Sequence, residues 1–196
     1  VCIANSLSVE KNDTLSFLNG LQDNSQIIVS GFHLAEHLPF EDLQTLVREA
    51  LRVLKPGGVL ILETPNPENI VVGSPLFYLD PTHNRPIPKQ LMEFLSDYYG
   101  FERTKILGLQ ESIDIDDDEI GLWDVLSGVS PDYAVIAQKS GDKSIFLALD
   151  QYFSRDYGVN LRQLAFAYEK QLEKKFGGEL QKVYQSNSWL ITAPLR

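Results

Sequence analysis

The chain of 196 residues contains one cysteine, Cys2. A single thiol excludes a disulfide framework and a cysteine-built structural zinc site, so the expected compartment is the reducing cytoplasm. Long hydrophobic runs are also missing. No stretch of about 18 apolar residues is present, the length a helix needs to cross a bilayer. Positive charge is scarce: 17 Lys and Arg face 27 Asp and Glu, a formal net charge of −10. Such a surface repels phosphate backbones, so no nucleic-acid partner is expected. No basic patch followed by an apolar stretch opens the chain, so no secretory signal is read. The first residue is Val1, without an initiator Met, and the chain is expected to be a fragment. Glycine is thin at the start as well. Only Gly20 precedes Gly31, which leaves no glycine-rich loop where a backbone would approach a cofactor closely.

What is present is an alternation of two periodicities. Residues 26–32 (QIIVSGF) form a short Ile/Val run between Asp23-Asn24-Ser25 and a polar HLAEH stretch, the pattern of a buried parallel strand. Residues 40–55 switch to helical spacing, with Leu43, Leu46, Val47, Ala50, Leu51 and Leu54 on one stripe. Glu41 and Asp42 in the first turn and Arg52 and Lys55 in the last suit the helix dipole. Pro56-Gly57-Gly58 is expected to end the helix. Residues 59–64 (VLILET) are again an apolar run. Strand, helix and strand make one βαβ unit, which implies a sheet with helices on both faces.

The stretch 65–87, closed by Pro88, contains Pro65, Pro67, Pro75, Pro81 and Pro86. It predicts a long irregular connection over the strand ends, the edge at which open α/β sheets bind ligands. Residues 88–99 read as a helix with Leu91, Phe94, Leu95 and Tyr98 on one face. Residues 101–110 and 132–138 read as two closing strands, with the acidic Asp114 to Glu119 as a solvated loop between them. From about 143 a helical tail is expected. Leu161, Leu164, Ala165, Tyr168, Leu172 and Phe176 keep helical spacing, Gly177-Gly178 is expected to break the run, and a second short helix is expected over 179–190.

The segment Ile28 to Glu68, with an LKPGG turn joining helix to strand, resembles the corresponding region of class I S-adenosylmethionine-dependent methyltransferases. The motifs HLPFE, ETPNPEN and FYLDPTHNRPIP resemble, more closely, the methyltransferase domains of bacterial O-antigen and surface-polysaccharide enzymes. The resemblance implies an α/β fold: a Rossmann-like methyltransferase sheet lacking its first two strands, followed by a C-terminal helical tail. The family's strand order is 3-2-1-4-5-7-6, so the absence of strands 1 and 2 implies an unpaired edge on strand 4. Val1 to Leu7 would be the remnant of the helix after the second strand. Residues 1–140 would be the C-terminal portion of the methyltransferase domain and 141–196 the helical tail or linker.

The same resemblance assigns candidate residues. Asn12-Asp13-Thr14-Leu15 is similar to the family segment whose Asp accepts a hydrogen bond from the adenine amino group, which makes Asp13 a cofactor candidate; Asp13 is equally suited to be a helix cap. Phe32 and His33 close the strand beside the cofactor. His33 and Glu36 are candidates for a general base or for orienting an acceptor hydroxyl, with a hydrogen-bonded helix-entry corner as the structural alternative. His83, in the Pro-rich connection, is a further candidate base. His37, Asp80 and Arg85 are candidates for acceptor binding, Arg85 toward an anionic group. No metal ligands are assigned, because His33 replaces the first Glu of the Glu-x-x-Glu-His corner of a related metal-binding branch.

The implied activity is methyl transfer from S-adenosylmethionine to a hydroxyl or phosphate of a surface-glycan precursor or other small acceptor. Whether this chain alone is an enzyme is left open by the missing glycine-rich loop. The alternative is a non-catalytic docking or assembly module for a glycosyltransferase, as a partner or a fusion. Self-association through the tail helices is a further expectation.

Overall fold

The computed structural model describes residues 9–113, 115 and 119–192. The elements in chain order are α1 (Thr14–Gly20), β1 (Gln26–Phe32), α2 (Phe40–Val53), β2 (Leu54–Pro65), α3 (Lys89–Tyr99), β3 (Arg103–Leu109), α4 (Leu122–Ser127), β4 (Asp132–Gln138), α5 (Lys143–Ser154), α6 (Leu161–Gln185) and α7 (Asn187–Thr192). Short 3₁₀ turns at Ala35–His37 and Phe77–Leu79 and a π turn at Val72–Leu76 carry the connections.

The four strands form one sheet in the order β1-β2-β4-β3. β1 and β2 are parallel, and β4 runs antiparallel to both β2 and β3. This is the 4-5-7-6 portion of the expected strand order. Among the described residues, nothing pairs with the other edge of β1.

One face of the sheet carries the core. Leu43, Leu46, Val47, Ala50 and Val53 of α2 pack on Leu60 and Leu62 of β2 and on Tyr133, Val135 and Ala137 of β4, with Met92 and Leu95 of α3 beside them. The alternating burial of β2 follows from its pleat: Leu60, Leu62 and Thr64 point to this core, while Val59, Ile61 and Glu63 point to the other side. α5 covers that second face through Arg103. The guanidinium stacks on Phe146 and Phe153, at 4.6 and 3.9 Å, and bonds Gln138, Asp150 and the Phe146 carbonyl. The fit is loose, and an apolar cavity of about 830 Å³ remains between α5 and the sheet.

Three expectations change. The helix stops at Val53, and LKPGG belongs to β2, since Leu54 already pairs with Gln26; Gly57, at φ +78°, makes the sharp turn there. β1 is not a buried strand. Ile27 and Ile28 are 68% and 57% exposed, because the strand is an edge with little over its second face. The helix break at Gly177-Gly178 does not occur. α6 runs unbroken for 25 residues, and the next helix starts only at Asn187. Glycine costs a helix about 1 kcal/mol relative to alanine, and the Glu, Lys, Leu and Gln on either side outweigh that penalty. The helix proposed for Val1 to Leu7 and most of the acidic loop from Asp114 to Glu119 lie outside the described residues.

Candidate functional site

The parallel strands β1 and β2 deliver their C-terminal ends to one edge of the sheet. The antiparallel β4 starts at that edge, with Asp132 opposite Pro65 and Phe32 opposite Glu63. The chain leaves β1 through His33, whose φ of +50° turns it sharply into the 3₁₀ turn. The His33 N–H still donates to the Glu63 carbonyl at 3.0 Å, which ties the corner to β2.

His33 and Glu36 form the centre of the site. His33 Nδ1 lies 3.2 Å from Glu36 Oε1. The Glu36 side chain has no solvent exposure, while that of His33 is 48% exposed. The other Glu36 oxygen accepts from Thr64 Oγ1 at 2.9 Å. When the imidazole is neutral, the tautomer that suits this carboxylate has Nδ1–H donating to Glu36 and the lone pair on Nε2. Nε2 faces Glu63, at 3.7 Å from its Oε1. Asp132 completes the cluster. Burial holds its carboxyl above the ordinary aspartate range; the charge of His33 opposes this shift and those of Glu63 and Glu36 add to it.

A second layer fixes the corner from the Pro-rich connection. His37 Nδ1 donates to the carbonyl and hydroxyl of Thr82, at 3.2 and 2.9 Å. Asp80 accepts from the Thr82 hydroxyl and backbone N–H, and these bonds, with the nearby His83 and His37, hold its carboxyl below the usual range. His83 Nδ1 donates to the Phe77 carbonyl at 2.7 Å, and its ring packs on Phe77 and on the edge of His37. Asn84 bonds the carbonyls of Glu36 and His37. These contacts hold the His83 ring in place, with its Nε2 4.0 Å from Asp80 Oδ2. Arg85 is exposed and stands over the Phe40 ring at 4.7 Å.

Asp13 caps α1, accepting from the Ser16 N–H at 2.9 Å, and this bond keeps its carboxyl below the ordinary range. α1 packs on α2, and its first turn faces the end of β1. Thr14 and Phe17 share a notch of about 220 Å³ with Gly31 and Leu34. Phe32, at the strand end, is 61% exposed.

The fold therefore gathers His33, Glu36, His37, Asp80 and His83 at one corner, with Asp13 and Phe32 on its α1 side. Two residues that sequence reasoning passed over, Glu63 and Asp132, complete the cluster. Glu63 had a signal, a charged side chain closing an otherwise apolar strand; Asp132 had none, because its place depends on the register of β4. Two trios are also within reach of a cation. The ligand atoms of His33, Glu63 and Asp132, and those of Glu36, His37 and His83, each lie within 4.8 Å of one another. In the second trio Glu36, His37 and His83 already hold the hydrogen bonds described above.

Residues 6–62 match a family model described as a methyltransferase domain. A protein of Mycolicibacterium smegmatis named a probable S-adenosylmethionine-dependent methyltransferase is 36% identical over 89 residues. That match covers 45% of this chain and 34% of the relative, so the chain aligns with about a third of the relative's length. The crystal structure of a SAM dependent methyltransferase from Archaeoglobus fulgidus superposes with a TM-score of 0.59 at 27% identity, covering 69% of each chain. The chain is thus similar to S-adenosylmethionine-dependent methyltransferases over part of its length, and its α/β Rossmann-like sheet is the fold of those proteins.

Proposed function

We propose that this chain forms the acceptor side of an S-adenosylmethionine-dependent methyltransferase that modifies a sugar hydroxyl of a surface-glycan precursor. The observation that carries the reading is the His33–Glu36 pair at the strand ends, in which a buried carboxylate engages one nitrogen of a half-exposed imidazole and leaves the other, beside Glu63, to accept a proton.

The residues on the α1 side fit the cofactor. Asp13 keeps an exposed, ionised carboxylate able to accept from an adenine amino group, Phe32 offers an exposed ring, and His33 turns the backbone beside them. Bound there, S-adenosylmethionine supplies an electrophilic methyl group on a sulfonium. The chain's own task is placement and proton handling, and alignment of the two partners is the larger effect. His33 Nε2 would take the acceptor's hydroxyl proton, and the cofactor would supply the methyl group and leave as the neutral thioether. Glu36 holds the imidazole in the required tautomer and stabilises the imidazolium that results.

Glu63 and Asp132 select the acceptor. Two carboxylates beside the base accept hydrogen bonds from neighbouring hydroxyls and repel an anion, which favours a polyol over a phosphate. His37, Asp80 and Arg85 would form the outer rim of the acceptor site. The glycan class, a glycosyltransferase as partner or fusion, and a cytoplasmic location rest on the resemblance of the HLPFE, ETPNPEN and FYLDPTHNRPIP motifs. The division into a domain to residue 140 and a tail beyond it rests on the change of character near residue 143.

The test is a calorimetric titration with S-adenosylhomocysteine, followed by methyl incorporation into neutral oligosaccharides and sugar phosphates. Weak binding, as the missing glycine-rich loop implies, reduced further by Asp13→Ala, with incorporation into the neutral sugar lost in His33→Ala, is the expected result. A folded chain that binds no S-adenosylhomocysteine, or that methylates only the phosphate, overturns the reading.

A further inference from the structure

The first half of α6 is anchored to the body. Asn160 and Gln163 cap it reciprocally, and Leu161, Leu164, Ala167 and Tyr168 pack with Ile120, Val125 and Val129. The second half is not. Every residue from Glu173 to Gln185 is exposed, and the Cβ positions of Gly177 and Gly178 meet nothing within 4 Å. This segment nevertheless keeps a continuous apolar stripe of Leu172, Phe176, Leu180 and Val183, with Phe176 66% and Leu180 51% exposed. Thirteen residues containing two glycines make a marginal helix in water when no surface supports their apolar face.

We propose that this stripe pairs with the same stripe of a second copy of the chain, antiparallel, about a two-fold axis near Gly177-Gly178. The residue pattern carries the register. Sums of residue numbers near 355 place Leu172 against the partner's Val183 and Phe176 against the partner's Leu180, each twice by symmetry. At 100° per residue Lys175 and Glu179 lie on the same flank of the stripe. Antiparallel helices bring like flanks together, so Lys175 meets the partner's Glu179, again twice. A parallel pair would set Phe176 on Phe176 and leave the charges unmatched. Within one chain Glu179 bonds Lys182 at 2.9 Å, but both side chains are largely exposed, at 65% and 75%, so exchanging that contact costs little. The surface is also suited to its own copy in an acidic protein. Residues 169–185 carry four Lys and three Glu in a chain of net charge −10, so the contact adds no like-charge repulsion of its own.

Sedimentation of the full chain over a range of concentrations tests the proposal. The expected result is a reversible dimer. Leu180→Glu should weaken it at least about tenfold without lowering the thermal midpoint, since Leu180 touches solvent in the single chain. Lys175→Glu should weaken it as well, and Lys175→Glu combined with Glu179→Lys should restore it. A chain that is monomeric at every concentration overturns the proposal, as does a dimer indifferent to Leu180→Glu. Failure of the double reversal to recover association overturns the antiparallel register.

Discussion

The imidazole of His33 and the carboxylate of Glu36 are 3.2 Å apart, and Glu36 gives its second oxygen to Thr64. Replacing Glu36 with Gln leaves one acceptor for two donors and turns an N–H₂ toward a group that also donates. A loss of about 1–3 kcal/mol in stability is expected, read as a lower urea midpoint. The His33 ring should also lose its preference for the Nδ1–H tautomer, which nitrogen chemical shifts of the imidazole report. A destabilised protein with an unchanged tautomer would mean that Glu36 serves packing alone.

Asp132 makes stability depend on pH. Its carboxyl titrates above the ordinary range in the folded chain, chiefly because of burial. The folded state then holds the proton more tightly than the unfolded state. The associated stability is fully present below the unfolded value of about 3.9 and is lost as pH rises through the folded value. Asp132→Asn removes that loss. The variant's urea midpoint should gain on the parent as pH climbs from about 3.9 and then stay ahead by a constant margin. A margin that does not vary with pH would exclude Asp132 as its source.

Arg103 is the rivet of α5. One guanidinium stacks on two rings and bonds Gln138, Asp150 and the Phe146 carbonyl. Arg103→Ala removes the stacking and three hydrogen-bonding contacts, a loss of about 2–4 kcal/mol in how firmly the helix is held. Hydrogen exchange over residues 143–154 should accelerate about thirtyfold or more, while the amides of β2 keep their protection.

Gly177→Ala and Gly178→Ala should each add about 1 kcal/mol of helix propensity, since the added methyl groups meet open space. Circular dichroism should show more helix, and the tail should resist proteolysis longer. The urea midpoint of the body should not move, because the added methyl groups touch nothing in it.

The sequence revealed the strands and helices that build the site because apolar runs and helical stripes are local properties. Gln26–Phe32, Lys89–Tyr99 and Asp132–Gln138 lie where the patterns put them, to within a residue. The His33–Glu36 corner was legible for the same reason, as both residues follow one strand within a single turn. Glu63 and Asp132 were harder. They meet only because β4 enters antiparallel beside β2 in the register Pro65 to Asp132, and nothing within a short window fixes that register. The exposed side of β1 was misjudged because an Ile/Val run is the same whether a neighbour is present or not. The uninterrupted α6 was missed because glycine's helix penalty is small beside the propensity of a long Lys/Glu/Leu-rich flank.

The position of β4 between β2 and β3 also sets a timetable for synthesis. β3 is made about 30 residues before β4 and, among the described residues, hydrogen-bonds to no other strand. While the chain emerges from the ribosome, Arg103–Leu109 has no ladder to join, and the sheet ends at β2. Arrival of residues 132–138 closes both ladders at once, so translation speed across 110–140 governs how long a strand with two open sides is exposed to other nascent chains.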